Sequence, residues 1–456
     1  MNSLFDISTR SGIRMDKYLH AWSLRIFNGK DLATLPTTER VKEQQKLASS
    51  VKKLWKLFNA GRKNLSKHYL EEPEVLRAYA GSFLIPNVQR IFALANSADI
   101  MPHIERLAEE NQTLRIIDFG AGPLAASTGI VAALSKNNRI NFEIAAVERS
   151  QPAFQMGKDL LSAAFAKPER LSVSVAPSAQ KLEGTANIIV AANVFNEIPS
   201  AHREKTLRSL LEKLDNNGIA IILEPGQDVH ARDLSTLRNA LLKSPPFPFR
   251  ILAPCLHREE CPLASNSERS DWCWFQQTWK PPMLLAELDK YSGLRHEELN
   301  YSYLVIQRTR EHIKNEAFAR VISDPITVGG AKNGTSFLRW AHANTIADDQ
   351  RLLQKAKPEN DFVKSLLCTR NGRLEAAISV EAFAQRGDVV FEQDTPCRCR
   401  ERIGNEPAPK RSSRDLWTDE HIQQDIEWHS PRSRTKPPTK KPVQSLGKAK
   451  NPRLSR

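Results

Sequence analysis

Three of the six cysteines in this 456-residue chain fall within nineteen residues, at Cys255, Cys261 and Cys273. Thiolates are soft ligands, and four in a tetrahedral array suit zinc or the corners of an iron–sulfur cluster. A local set of three needs a fourth donor. The sequence offers Cys368, Cys397 or Cys399, with His257 as a substitute in a mixed site. The spacings, five and eleven intervening residues, do not match a zinc ribbon, which prefers C-x2-C pairs. Cysteine also packs as a small hydrophobe. Three of them among Pro254, His257, Pro262 and several charges read as metal ligands rather than core.

A second candidate site is the turn 118-DFGAGPLAAS-127. Gly120 and Gly122 let the backbone turn tightly and approach a ligand without Cβ clashes, and the helix that follows offers free N–H groups. Glu148 closes the next apolar run, thirty residues after Asp118. A carboxylate there can accept both hydroxyls of a ribose, the general logic of nucleoside sites at the carboxyl edge of an open sheet. Asn193, Asn196 and Glu197, in 193-NVFNEIP-199, are candidates to line the same edge, although Asn196 reads somewhat better as part of a polar loop capping the next helix.

These residues need a scaffold, and the pattern supplies one. Apolar runs at 114–119, 141–147, 171–175, 186–192 and 218–223 alternate with helical stretches at 150–165, 201–214 and 230–242, which predicts an α/β domain with a parallel sheet. Residues 250–253 and 302–308 are candidates for two further strands. Residues 1–110 read as helical, with an apolar stripe over 40–60 capped by Thr37 or Thr38, and further helices at 73–83 and 86–95. No chemistry is legible in that region, which reads as a docking layer. The expected organisation is an N-terminal helical region (1–110), an α/β domain (111–309) with a cysteine-rich insertion (253–275), a small mostly β domain (310–400) and a disordered basic tail (401–456).

The net charge of +14 is concentrated at the end, where residues 430–456 carry nine Lys/Arg and no Asp/Glu. Such a tail attracts nucleic acid or simply solubilises the chain. No apolar run reaches eighteen residues, so no membrane span is expected. The first residues lack a secretory apolar segment, and Asp6 and Asp16 make a poor transit peptide. A reducing cytosol of bacterial type is the expected compartment, with the mitochondrial matrix as the alternative, and a monomer is expected.

The glycine turn resembles that of class I S-adenosylmethionine-dependent methyltransferases. Asp118, Gly120, Gly122 and Glu148 match the family's acidic residue, glycines and ribose-binding acid, and Asn193, by its place at the carboxyl edge after the fourth strand, is a further candidate cofactor residue. Leu124 stands where a third glycine is usual, and its side chain either crowds the cofactor's methionine part or points into the sheet. The segment 251-ILAPCLHREECPLASNSERSDWCWF-275 is similar, more narrowly, to the cysteine segment of methyltransferase-like assembly factors of the small ribosomal subunit, found in mitochondria and bacteria. The pieces 193-NVFNEIP-199, 223-LEPG-226, 297-EELNYSYLVIQR-308 and 366-LLCTRNGRLE-375 agree, so that the resemblance spans residues 79–388.

That resemblance implies a four-cysteine iron–sulfur site, a [4Fe–4S] cluster on Cys255, Cys261, Cys273 and Cys368, and binding to small-subunit ribosomal RNA during assembly. Cys397 and Cys399 have no counterpart in it, and Trp272, Trp274 and Trp279 read as a shield for the cluster, with stacking on bases as the alternative. Three functions stand side by side. The first is an RNA-binding assembly factor with S-adenosylmethionine as structural ligand or effector. The second is an active rRNA methyltransferase, with Leu124 and the lack of an N-P-P-Y or D-P-P-Y motif against it. The third is a zinc-stabilised nucleic-acid-binding protein.

Overall fold

The structure is a computed structural model. It describes residues 13–309 except 61–67, 135–138, 166, 246–247, 256–257, 262 and 265–271, and beyond 309 the backbone of 319–321, 362–369, 372–379, 389–390 and 397–399. The expected basic tail and His257 lie outside the described residues.

Five helices come first: α1 (Met15–Ile26), α2 (Thr37–Ala60), α3 (Pro73–Tyr79), α4 (Ile85–Ala95) and α5 (Met101–Glu110). A π-helical turn, Ala80–Leu84, joins α3 to α4. The α2 helix opens three residues before the expected stripe. Pro36 accepts the Arg40 N–H at 2.9 Å, so Thr37 and Thr38 sit in the first turn and do not precede it. Then β1 (Thr113–Phe119), α6 (Ala125–Leu134), β2 (Asn141–Val147), α7 (Gln151–Ala164), β3 (Leu171–Ala176), β4 (Ala186–Ala192), α8 (Ser200–Leu211), β5 (Leu214–Pro225) and α9 (Asp228–Lys243) alternate as expected. The domain closes with β6 (Phe249–Ala253), β7 (Phe275–Thr278), α10 (Met283–Ser292) and β8 (Glu298–Arg308).

The strand order is β3-β2-β1-β4-β5-β8-β6, with β7 also on β8. The strands from β3 to β5 are parallel, while β6, β7 and β8 pair antiparallel, so the sheet is mixed and not wholly parallel. The reversal follows from connectivity. The chain returns from β7 through α10 to enter β8 from the opposite end. A central strand such as β4 is buried along nearly its whole length, and the edge strand β3 alternates between half-buried and exposed residues. Strand order reverses between β1 and β4, and a crevice opens there at the carboxyl ends of the strands.

The N-terminal helices share this core. One cluster of buried apolar side chains runs from Ile13 through Trp22, Val88 and Ile91 to Ile116 and Val305. Every residue of α6 is buried, because the small AASTGIVAAL sequence lets α4 close over it. On the other flank, Trp22 donates from Nε1 to the Ala80 carbonyl at 2.8 Å, tying α1 to the π turn. Beyond residue 309, strands β9 (Ala319–Val321), β10 (Phe362–Thr369), β11 (Gly372–Ser379), β12 (Val389–Val390) and β13 (Cys397–Cys399) form a separate antiparallel sheet ordered β12-β9-β10-β11-β13.

Gly157 lies inside α7, where alanine would gain about 1 kcal/mol of helix propensity. A Cβ there would fall 2.3 Å from the Pro123 carbonyl carbon and oxygen. The obstacle is backbone, so the glycine turn itself must move, and overpacking of this kind costs about 1–3 kcal/mol. Gly157→Ala is therefore expected to lower the urea unfolding midpoint. A raised midpoint would show that helix propensity dominates.

Candidate functional site

The site is built from carboxylates at strand ends. Asp118, near the end of β1, is 1% exposed. Its Oδ2 accepts the Ser127 N–H at 3.1 Å and the Ser127 hydroxyl at 2.6 Å, fixing the first turn of α6. The turn between them is stapled to β2 by the Gly120 and Ala121 N–H groups, which donate to the Val147 carbonyl at 2.9 and 3.2 Å. Gly120 has φ +71°, and a Cβ on it would strike Val194 at 2.4 Å. Gly122 has φ +48° and faces open space, with nothing within 4 Å of a Cβ position. The backbone on this side of the turn is therefore open to approach.

Leu124 resolves the question raised by the missing glycine. Its φ is +57° and its side chain is 0% exposed within the main apolar core. It points away from the crevice and does not crowd a ligand. A left-handed leucine is strained by roughly 1–2 kcal/mol. Burying its side chain gains a similar or larger amount, which offsets the strain.

Glu148 stands half-buried beside the turn. Its Oε2 accepts the Gly122 N–H at 2.7 Å, and Oε1 accepts the Arg149 and Ser150 N–H groups, both at 2.8 Å. A carboxylate offers about four acceptor sites. Three are in use, so one ribose hydroxyl fits on Oε2 as the site stands. Holding both, as the sequence suggested, requires displacing one N–H. Ser150 caps α7 by accepting the Ala153 N–H at 3.3 Å.

At the end of β4, Asn193 adopts φ +57°, donates its N–H to the Leu223 carbonyl at 2.7 Å and reaches Asn87 Oδ1 from Nδ2 at 3.3 Å. The following turn is held by Glu224 of β5, which is 2% exposed. Its two oxygens accept the N–H groups of Val194, Phe195 and Asn196 at 3.1, 2.9 and 3.1 Å and the Asn196 amide at 2.6 Å. Asn196 thus fixes the loop through its amide, and it also lines a small pocket with Phe195, Arg203, Glu224 and His230. Glu224 was not a sequence candidate, although it lies in the quoted LEPG segment.

The N-terminal helices, expected to hold no chemistry, supply polar groups to the crevice, and this corrects the docking-layer reading. Asn87 of α4 accepts from Arg90 Nη1 at 2.6 Å as well as from Asn193, with Tyr79 close by. Burial pulls the Arg90 guanidinium down to about 10, and it pushes the Tyr301 phenol up to about 12. Asparagine and arginine three residues apart share one helix face. That pair within IPNVQRIFALA was the available signal.

The cysteine segment lies across α9. Arg238 is 2% exposed and donates to the Glu259 carbonyl at 2.6 Å. Asn239 accepts the Cys261 N–H at 3.0 Å, and Arg232 donates to the Leu263 carbonyl at 2.9 Å. Cys261 and Cys273 pack into one small cluster with Leu263 and Ala264. Cys255 is partly buried just after β6. Among the described residues no group of three or more His, Cys, Asp or Glu side chains is gathered to hold a metal. The donor chemistry fits a thiolate site, and the described geometry brings two of its donors together. Cys368 lies on β10 opposite Arg373 and Arg320, and Cys397 and Cys399 lie on β13. Trp279 is committed to the core, with Nε1 bonded to the His296 carbonyl, and Trp272 donates to the Gly226 carbonyl at 2.8 Å.

Burial pushes the Asp118 carboxyl up to about 6, against the pull of the Ser127 bonds and with a further push from the Glu148 charge. The folded state then binds its proton more tightly than the unfolded chain, so this group's contribution to stability falls as pH rises from about 4 to about 6. Asp118→Asn keeps an oxygen for Ser127 and removes the slope. Its melting temperature relative to wild type should rise between about pH 4.5 and pH 7, and an unchanged difference would contradict the raised carboxyl.

No curated protein matches the chain. Among solved structures, magnesium protoporphyrin IX methyltransferase from Synechocystis PCC 6803 with bound S-adenosylmethionine is 11% identical, with 57% of this chain and 97% of that one covered and a TM-score of 0.30. A class I methyltransferase structure from Listeria monocytogenes is 9% identical over 66% of this chain and 90% of that one, at a TM-score of 0.33. At such values neither informs the site. A family model described as mitochondrial small ribosomal subunit Rsm22 matches residues 90–333, more than half of the chain. The α/β sheet with its strand-end carboxylates and its cysteine segment falls within that match, and the chain belongs to the Rsm22 family.

Proposed function

We propose that this protein is an RNA-binding assembly factor of the small ribosomal subunit that carries S-adenosylmethionine in the crevice between β1, β2 and β4. The observation behind the cofactor is the open Gly122 cradle beside the half-buried Glu148 carboxylate. Glu148 would take a ribose hydroxyl on Oε2, and Gly120, Gly122 and Asn193 would shape the wall around it. Asp118 would hold the turn rather than touch the ligand, because it is buried against Ser127. Membership of a small-subunit family supports the ribosomal partner. Its mitochondrial description supports the mitochondrial matrix as the compartment, beside the bacterial cytosol expected from the sequence.

In this reading Cys255, Cys261, Cys273 and Cys368 hold a [4Fe–4S] cluster. When bound, such a group ties segments distant in sequence into one fold, since a metal site absent from the unfolded chain stabilises the folded one. The residues of α9 that bond to the cysteine segment would position two of the ligands before metal arrives. A second reading, an active rRNA methyltransferase, gains from one observation. Leu124 lies in the core, so the turn beside the crevice is not blocked.

Anaerobic purification with iron, sulfide and zinc analysis tests the cluster. Wild type should hold about four iron and about four sulfide per chain, with broad visible absorbance lost in Cys368→Ser. One zinc and no colour would replace the cluster with a zinc site. Ultraviolet crosslinking in cells tests the partner: small-subunit rRNA should dominate the recovered RNA, and its absence would end the assembly reading.

A further inference from the structure

The outer face of α2 carries cations that the fold does not use. Leu47, Ala48, Val51 and Leu54 turn inward and are buried. Lys52, Trp55, Lys56 and Asn59 follow the i, i+3, i+4, i+7 spacing of one helix stripe, and all four are exposed, Trp55 to 42%. Lys53 is exposed beside them. None of the described ion pairs engages Lys52, Lys53 or Lys56, whereas Lys30 is paired with Glu43 and Lys243 with Glu260. The chain has no Asp or Glu between Glu43 and Glu71. Lysines alone would be a solvated face. Solvation does not account for an indole left open among them, since burying aromatic area is favourable.

The stripe is anchored to the carboxyl edge of the sheet. Asn59 donates from Nδ2 to the Trp55 carbonyl at 2.8 Å and accepts from Gln227 Nε2 at 2.8 Å. Gln227 comes just after β5, whose Glu224 folds the Asn193 turn. Asp228, the next residue, is engaged by Arg232, so its charge does not cancel the lysines. A chain laid along the stripe therefore reaches the edge where the crevice opens.

These groups suit one class of partner. Lysine ammonium groups neutralise phosphates, and an open indole gives an unpaired base a surface to stack on. A duplex keeps its base faces stacked inside. A lipid surface fits poorly, because an interfacial helix inserts its apolar face, and the apolar face of α2 already lies in the main core. An acidic polypeptide would use the lysines and leave Trp55 idle.

We propose that the Lys52–Trp55–Lys56 stripe of α2 binds single-stranded RNA, with the lysines on phosphates and one base stacked on Trp55. This rests on the RNA-binding reading above and names the surface that performs it.

The test is fluorescence anisotropy of the full chain with labelled oligouridine and with a labelled RNA duplex, over a salt series. In Trp55→Ala, affinity for oligouridine should fall about 5- to 100-fold with the salt slope unchanged, the range for losing one base–aromatic stack. Affinity for the duplex should stay within about twofold of wild type. Trp55→Phe keeps a ring and should recover most of the loss. In Lys52→Gln/Lys56→Gln the slope of log affinity against log salt should shrink by about 1.4, from about 0.7 for each phosphate contact removed. Both lysines are exposed, so this variant and Trp55→Phe carry the test if Trp55→Ala does not fold. Wild-type oligouridine binding that neither change weakens would overturn the proposal and leave the RNA reading to another part of the chain. Loss in the lysine variant alone would also overturn it, since a solvated basic face attracts any polyanion. So would lysine-dependent binding of polyglutamate, or Trp55-dependent binding of phosphatidylserine vesicles, with oligouridine affinity unchanged in the same variant. Wild type that binds no RNA would instead overturn the RNA reading, and this proposal with it.

Discussion

Everything at the crevice depends on acidic side chains bonded to backbone N–H groups. Asp118, Glu148 and Glu224 lie at or near the carboxyl ends of β1, β2 and β5, and each fixes a loop that follows a strand. Asp118 starts α6, Glu148 ties Gly122 to the start of α7, and Glu224 folds the turn after Asn193. Charge-assisted hydrogen bonds of this type are about twice as strong as neutral ones. They also satisfy carboxylates that could not otherwise be buried, as Asp118 and Glu224 are. The loops bordering the crevice are thus set before any ligand arrives, which lowers the ordering cost of binding.

The N-terminal helices are part of the same construction. The all-buried α6 lets α4 approach closely, and α4 carries Asn87 and Arg90 to the end of β4. One apolar core then supports both the sheet and the residues that close the crevice. The cysteine segment is tied to this frame through α9 and through Trp272, which bonds to the carbonyl of Gly226, two residues beyond Glu224. The cysteine segment and the Asn193 turn are therefore linked by a short run of backbone.

What could be read from the sequence was what is local. The strand–turn–helix around Asp118, Gly120 and Gly122 lies within ten residues, and Glu148 ends the next strand, so pattern alone found them. The antiparallel run of β6 to β8 was only half visible, because β7 is four residues long and a cysteine loop interrupts the pattern. Leu124 could not be oriented without its φ angle. Glu224 looks like any acid after an apolar strand until the N–H groups it accepts are in place. Asn87 acts across more than a hundred residues on Asn193, and helical periodicity carries no information about such a contact.

The account would be tested most directly by a crystal structure of the chain with S-adenosylhomocysteine. It predicts the ribose against Glu148, the adenosine along the Gly120–Gly122 turn, and the three carboxylate-held loops unmoved. A ligand bound away from the carboxyl ends of β1, β2 and β4, or loops that refold to admit it, would contradict the claim that strand-end carboxylates pre-form the site.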